Sequence, residues 1–445
     1  MTELSPATDA VPADVEHADT ERAHGVFELD ATLLARIRLR ASDYDRTNTF
    51  FTEDLSDLVT AGYLRALVPA EFGGLGLSLA ETARLQTRLA AHAPATALAI
   101  NMHLVWTGVA KALYERGDHS LDFLLREAGQ GEIFAFGVSE PGNDLVLFDS
   151  TTDARPEITG GYRFTGTKAF TSLSPVWTRL GTFGRDDSAP EDPRIVWAFL
   201  DRAAPGLNQA PGISQKDDWD TLGMRASQSQ STVLESAFAA ANRVVRRLPV
   251  GPNNDPLIFA IFANFEILLS SVYAGVGQRA VELAIDAATR RTSRKNGGRS
   301  HAQDPVVRWR VADAAIAMDG LYPQIAALAQ NIDDQVDVRP TGAVPIQDSD
   351  TRDIHTRDIQ WYALLSGLKF RATETAKAVV DQAVRVTNGS AYASGSELGR
   401  LYRDVLAGLF HPSDADSAHS TVATAWLGPI TPPAPPTTAS TPPTT

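Results

Sequence analysis

The sequence lacks cysteine altogether. Without thiols the chain can form neither disulfides nor thiolate-bound zinc or iron–sulfur sites, and a cysteine nucleophile is excluded. It also lacks an excess of positive charge, because 54 Asp and Glu outnumber 40 Lys and Arg and give a net charge of -14. So acidic a chain is poorly suited to wrap nucleic acid or to coat an anionic membrane surface. We therefore expect neither nucleic acid nor a membrane as a partner.

Motifs of several common catalytic classes are also missing. We find no phosphate-binding P-loop, no H-E-x-x-H zinc motif, no G-x-S-x-G turn and no dinucleotide-binding G-x-G-x-x-G after a strand. The nine histidines are scattered along the sequence. The sequence therefore predicts no metal site.

The two ends of the chain differ in composition from the rest. Residues 1–26 are polar and acidic, with neither the basic start nor the apolar segment of a secretory signal. Residues 429–445 consist largely of Pro and Thr, a composition that favours extended chain. We predict two disordered tails and a cytoplasmic protein.

One apolar run, residues 256–277, is long enough to span a membrane. It carries Asn264 and Glu266 near its middle, and both side chains are costly in lipid. The run therefore predicts a buried helix of a large helical bundle.

Between the tails the hydrophobic pattern changes twice. Residues 27–133 place apolar side chains at helical spacing. Residues 134–245 hold short β-branched and aromatic segments separated by Gly, Pro and Asp, which is typical of strands. Residues 246–428 return to long helical patterns, at about 256–293, 305–333, 356–386 and 397–410. We predict an α+β fold with an N-terminal helical domain, a middle β-barrel-like domain and a C-terminal four-helix bundle.

A basic loop stands out against the acidic background at residues 289–301. It contains five cationic side chains and no acid: Arg290, Arg291, Arg294, Lys295 and Arg299. Such a cluster can bind phosphate groups, although a solvated loop is the commoner outcome.

Six short motifs, in this order, resemble those of the acyl-CoA dehydrogenase superfamily of flavoproteins. LVPAEFGGLGLSLAE at 67–81 is similar to the family's turn before a helix, FGVSEPGND at 136–144 to its first β motif, and GTKAFTSLS at 166–174 to its second. The others are WDTLGMRASQSQSTVLESAFA at 219–239, GVGQRAVELAIDAATRR at 275–291 and GSELGRLYRD at 395–404. The resemblance covers about residues 30–428.

The resemblance implies FAD between the β domain and the bundle. The backbone of Gly137, Val138 and Ser139 takes the place of the segment that meets the flavin's pyrimidine edge. Phe170 takes the place of the aromatic on the ring, and Ser172 that of the hydroxyl near N5. The remaining implied cofactor contacts are Arg294, on the pyrophosphate of a neighbouring subunit, Gly389 in a turn close to the cofactor, and Asn143 as a substitute pyrophosphate donor. The neighbour's role implies a homo-oligomer, a dimer or a tetramer.

The family's usual catalytic glutamate is missing. Its place, eight residues after Asp404, is held by Pro412. Some members carry the base on the first bundle helix, where the equivalent position is Phe265 and the next residue is Glu266. One step along a helix is a rotation of about 100°, so Glu266 serves as a base only if the helix is shifted. A buried Glu266 paired with an Arg of the bundle is the other reading.

His411 lies next to the missing glutamate. Flavin-dependent monooxygenases of the superfamily often have a His on this loop and a Ser on the β domain, a pattern that His411 and Ser172, or Ser139, resemble. A His that titrates near neutral pH suits acid–base work. A His bonded to backbone beside Pro412 is an equally good reading, and Asp414 and Asp416 are alternative carboxylates.

The resemblance leaves three functions open. The first is an FAD-dependent dehydrogenase that oxidises an acyl substrate, such as a CoA thioester, and passes electrons to a transfer partner. The second is a two-component monooxygenase that receives reduced flavin, FAD or FMN, from a flavin reductase. The third is a non-catalytic flavoprotein subunit. We expect the first, because dehydrogenation is the superfamily's usual chemistry, whereas the missing glutamate favours the second.

Overall fold

The computed structural model describes residues 27–158, 160–202, 211–335 and 353–430. Both predicted tails, except residues 429 and 430, lie outside these described residues. Three successive groups of elements follow in the predicted order of helices, sheet and helices.

The first group is helical. Its helices are α1 (Ala31–Thr47), α2 (Thr52–Thr60), α3 (Leu79–Ala90), α4 (Pro94–Tyr114) and α5 (Asp122–Gly129). α3 begins at a capping box, in which the Ser78 hydroxyl accepts from Glu81 N and the Glu81 carboxylate accepts from Ser78 N. α4 is buried on nearly every side, as expected of a helix with few polar residues.

The middle group is one mixed sheet. Its strands are β1 (Phe134–Gly137), β2 (Asp153–Pro156), β3 (Tyr162–Lys168), β4 (Arg179–Asp186), β5 (Arg194–Asp201), β6 (Ile213–Gln215), β7 (Thr232–Ala239) and β8 (Val244–Pro249). The order is β6-β7-β3-β2-β4-β5-β8, and β1 pairs in parallel with β4. The sheet reaches Pro249, so the predicted boundary after residue 245 divides β8 and is too early.

β4 is a central strand that the composition did not reveal. Its two glycines weaken the strand pattern, but both are required by packing. A Cβ on Gly181 would lie 2.4 Å from the Trp106 ring, and one on Gly184 would lie 2.9 Å from Phe164. The glycines therefore allow α4 and β3 to approach β4 closely.

The C-terminal group contains α6 (Pro256–Arg290), α7 (Pro305–Asp333), α8 (Asp353–Thr387), α9 (Glu397–Val405) and α10 (Ala415–Leu427). The fourth predicted helix is shorter than expected. It ends at Val405 because residues 406–409 tighten into a 3₁₀ turn, and a fifth helix, α10, packs on α8. Two short strands, β9 (Thr292–Ser293) and β10 (Arg299–Ser300), form a ribbon within the basic loop.

α6 is the helix at the centre of the molecule. It is long and apolar enough to cross a membrane, but 89% of its most apolar window is buried. It packs against α3, α4, α7 and α8, which confirms the predicted buried helix. Its Phe265 ring stacks on Phe136 of β1, with ring centroids 5.6 Å apart, and this contact joins the bundle to the sheet.

Candidate active site

Two predicted cofactor segments run side by side at one end of the sheet. They are residues 137–139, after β1, and residues 169–172, after β3, joined by a hydrogen bond of 2.9 Å from Ala169 N to Ser139 O. Gly137 is required by packing, since a Cβ there would lie 2.6 Å from Leu180. The Val138 side chain is buried, so this segment offers a ligand mainly its backbone.

Phe170 presents its ring to the surface from a strained position. The ring is 61% exposed, and its backbone has a φ of 56°. A non-glycine residue in this region is costly and is retained where the surroundings require it. Trp219 supports the ring edge-on, with centroids 6.3 Å apart. The arrangement offers a flat apolar surface beside the two segments.

Three serine hydroxyls, which we call the serine triplet, lie in a row behind Phe170. Ser172 Oγ is 2.8 Å from Ser229 Oγ, and Ser229 Oγ is 2.8 Å from Ser227 Oγ. All three side chains are buried. Sequence reasoning found Ser172 only, although the alternating S-Q-S-Q-S pattern at 227–231 contained the other two.

Asn143, the expected pyrophosphate donor, is bonded within its own loop between β1 and β2. Its two amide hydrogens are already used, since Nδ2 donates to Glu140 Oε2 at 2.8 Å and to Asp149 O at 2.9 Å. Glu140 is in turn bound to the buried Lys168 at 2.5 Å. Asn143 therefore orders its own loop.

The other predicted cofactor residues form a second group. Arg291 donates to Thr387 O and Ser390 Oγ, which places the basic loop beside Gly389. Arg294 is exposed and makes no ion pair with any described residue. Gly389 has open space where a Cβ would lie. A cavity of about 290 Å³ opens here, with Arg290, Thr387 and Glu397 among its lining residues.

Glu266 points into the bundle. Its side chain is fully buried, and its Oε1 accepts from Ser413 Oγ at 2.5 Å. Burial raises its pKa to about 8, opposed by Ser413 and by the charge of Lys369. The position that faces the sheet is held by Phe265, stacked on Phe136. Glu266 is therefore buried in the bundle, as in the second reading, but its neighbours are a serine and a lysine and not the expected Arg.

His411 lies on residues 408–413, which we call the histidine loop. Its Nδ1 is 3.1 Å from the hydroxyl of Tyr273, which is buried on α6. Burial, and to a lesser extent the charge of Lys369, lowers the pKa of His411 to about 3. A ring with this pKa is neutral at pH 7, which differs from the expected titration near neutral pH. Of the alternative acids, Asp414 caps α10 through Ser417 N.

The middle-domain group fits a planar aromatic cofactor such as flavin. An exposed aromatic ring, held in a costly backbone conformation next to residues 137–139 and a row of hydroxyls, has no use within the chain's own core. No cluster of three or more His, Asp or Glu suited to a metal occurs among the described residues.

Two family models match the chain. The acyl-CoA dehydrogenase N-terminal domain matches residues 29–121, and the acyl-CoA dehydrogenase C-terminal domain matches residues 267–413. The matches cover the α1–α4 region and the bundle with the histidine loop.

Full-length relatives extend the similarity. The chain is 30% identical over 416 residues to L-evernosamine nitrososynthase of a Micromonospora species, covering 90% of this chain and 89% of that protein. It is 28% identical over 417 residues to the amino sugar nitrososynthase RubN8 of Streptomyces rubradiris, covering 92% and 90%.

Among solved structures, one neighbour has a substrate-like ligand. KijD3 in complex with FMN and dTDP-3-amino-2,3,6-trideoxy-4-keto-3-methyl-D-glucose has a TM-score of 0.75 and 27% sequence identity, over 89% of this chain and 92% of that one.

Proposed function

This chain belongs to the acyl-CoA dehydrogenase superfamily and is a flavin-dependent oxidoreductase, and we propose that it is a two-component monooxygenase that oxidises the nitrogen of a small-molecule amine. The favoured substrate class is an amino sugar carried on a nucleoside diphosphate. The amino sugar named in the relatives and the nucleotide sugar named in the KijD3 complex support this class.

The absence of a carboxylate at the family's two base positions argues against acyl-thioester oxidation and supports the proposal. Removing a proton next to a thioester carbonyl requires a base beside the flavin. Pro412 and Phe265 hold the two positions where the family carries that base, and Glu266 is directed away, onto Ser413. A neutral His411 suits a different substrate, one that reacts through its own lone pair.

The reaction balances with reduced flavin and oxygen. An amine, R–NH₂, takes one oxygen atom from O₂ to give R–NHOH, while the second oxygen leaves as water with two electrons and two protons. Bound reduced flavin supplies the two electrons. A flavin reductase is therefore the implied partner, in place of an electron-accepting protein. A second turnover on R–NHOH gives the nitroso product by the same stoichiometry, after loss of water.

In this proposal the chain's own residues bind the flavin and orient the amine. A neutral imidazole has one donor and one acceptor nitrogen. Tyr273 engages Nδ1, which leaves Nε2 of His411 to hold an amine or hydroxylamine hydrogen. Phe170 supplies the surface for the flavin ring, and Ser172 supplies a hydroxyl that its neighbours Ser229 and Ser227 orient.

We favour FMN as the working flavin, because the KijD3 complex contains FMN. FAD remains the other form, and the basic loop with its cavity near Gly389 is where its additional phosphate would be expected.

The test uses the full chain, a flavin reductase, NADH, FMN and ¹⁸O₂. The substrates are a dTDP-linked amino sugar, a simple alkylamine and butyryl-CoA. We expect one ¹⁸O atom in the product of an amine, detected by mass spectrometry. Incorporation of ¹⁶O from water contradicts the proposal, and so does anaerobic bleaching of oxidised flavin by butyryl-CoA.

A further inference from the structure

The histidine loop is bound from beneath by one buried lysine. Lys369 of α8 donates to Gly408 O at 2.9 Å, to His411 O at 2.9 Å and to Ser413 O at 3.2 Å. An ammonium has three hydrogens, so these three carbonyls use all of them. The side chain is 1% exposed, so its bonds form away from water, where they are stronger.

Glu266 holds the far end of the same loop. It accepts from Ser413 Oγ at 2.5 Å, and Ser366 Oγ of α8 lies 3.2 Å from the same hydroxyl. Ser413 thus lies between the buried acid and the buried amine, bound to one through its side chain and to the other through its carbonyl. Burial raises the pKa of Glu266 and lowers that of Lys369, whereas their mutual attraction acts the other way on both groups.

The backbone of the histidine loop is strained at one residue and closely packed at another. Ser413 has a φ of 56°, a left-handed conformation that costs a non-glycine residue about 1–2 kcal/mol. Gly408 lies against the Tyr273 ring, and a Cβ there would come within 2.9 Å of it. The hydrogen bonds from Lys369 and to Glu266 therefore offset the cost of a strained backbone.

The consequence falls on His411. Its carbonyl is bound to Lys369 and its ring to Tyr273, so the residue is held at both its backbone and its side chain. We propose that Lys369 and Glu266 are positioning residues that fix the histidine loop and, through it, the His411 ring. The proposal of a role in oxygenation rests on the proposed function, whereas the anchoring itself does not.

The first arm of the test needs no substrate. Hydrogen exchange of the full chain is followed by mass spectrometry for the peptide that spans residues 406–414. Lys369→Met keeps the unbranched shape and most of the length of the side chain and removes its three donors. We expect about tenfold faster exchange, or more, in this peptide alone. Lys377→Met is the matched control on the same helix, because Lys377 is half exposed and pairs loosely with Glu374 at 3.9 Å.

The second arm measures product formed per O₂ consumed. We expect Lys369→Met to lower this ratio about 10- to 100-fold, since a small misplacement of a reacting group has effects of that size. The double variant Lys369→Met, His411→Gln should form as much product per O₂ as His411→Gln alone, because both changes remove the contribution of a correctly placed His411 ring. A lysine that merely stabilises the fold would give additive losses.

The outcomes distinguish the anchoring of the histidine loop from its role in oxygenation. Unchanged exchange in Lys369→Met overturns the anchoring, whatever the substrate. Faster exchange with additive activity losses overturns the positioning role. Faster exchange without any oxygenated product from the unaltered protein contradicts the proposed function and leaves the anchoring standing. If Lys369→Met fails to fold, Ser413→Ala removes the hydroxyl bonded to Glu266 and Ser366 and leaves the three carbonyls bound by Lys369 in place. We expect a smaller increase in exchange in the same peptide, and unchanged exchange overturns the anchoring by Glu266.

Discussion

The Phe265 ring stacks on the Phe136 ring with an angle of 20° between their planes. This contact decides what α6 presents to the sheet, because the side chain one residue later, Glu266, is rotated by about 100° into the bundle. An apolar pair therefore lies at the position on the first bundle helix where some dehydrogenases of this family carry their base. The same contact packs the helical bundle against the sheet.

The Phe136–Phe265 contact predicts a large effect on stability. Phe265 is 8% exposed, so Phe265→Ala should lower the free energy of unfolding by about 3–5 kcal/mol, through lost burial and a cavity. Urea unfolding followed by circular dichroism measures it. Leu39→Ala is the control, because Leu39 is 76% exposed and should change stability little. Equal effects of the two changes would contradict the role of the contact.

The Tyr273–His411 bond predicts a coupled pair. Tyr273→Phe removes only a hydroxyl, so the ring should still pack on Gly408 while His411 loses its partner on Nδ1. We expect less product per O₂ and more hydrogen peroxide, with unchanged flavin affinity. Because the pKa of His411 is about 3, neither this variant nor the unaltered protein should show a histidine titration in kcat between pH 5.5 and 7.5. A clear inflection near pH 6.5 would contradict the neutral ring.

The serine triplet predicts a role for a residue that does not face the surface. Ser229→Ala removes the hydroxyl that orients Ser172 Oγ, so it should lower product formation in the same direction as Ser172→Ala. Steady-state assays with the amine substrate compare the two. Ser214→Ala on β6 is the control, since Ser214 is exposed. Full activity in Ser229→Ala would leave Ser172 independent of its neighbours.

The basic loop predicts which flavin the protein can use. In the homo-oligomer that the family resemblance implies, Arg294 meets a pyrophosphate, which FAD has and FMN lacks. Arg294→Ala should therefore weaken FAD binding about tenfold, the size of one charge-assisted hydrogen bond, and leave FMN binding unchanged. Equilibrium titration under anaerobic conditions measures both. Lys295→Ala is the control in the same loop, and an equal loss for both flavins would place Arg294 elsewhere.

A buried histidine predicts the pH dependence of folding. His103 is 1% exposed, its Nδ1 accepts from Phe134 N at 3.1 Å, and its Nε2 lies 2.9 Å from Leu64 O. Burial lowers its pKa to about 4, so below pH 6.5 the unfolded chain binds a proton that the folded chain does not.

Stability should therefore fall as the pH falls from 6.5 to 4, by about 3 kcal/mol from this residue. Urea unfolding at a series of pH values measures it. In His103→Gln this part of the slope should vanish, and an unchanged slope would contradict the assignment.

Much of the fold follows from short-range patterns. Helical periodicity located α6, α7 and α8, and aromatic and β-branched segments located β1, β3, β5 and β7. β4 was missed because its two glycines weaken the strand pattern. These glycines make room for the rings of Trp106 and Phe164. The order of six motifs was enough to identify the superfamily, because each motif is read along the chain.

The surroundings of the site residues were decided by the tertiary structure alone. Glu266 and Ser413 are 147 residues apart, and no pattern in the sequence shows that they meet. The same holds for the bond between Tyr273 and His411, and for the burial that keeps that ring neutral. Periodicity specifies which residues share a face of one helix. The pKa and partners of a side chain depend on which distant elements remove water around it, and only packing determines that.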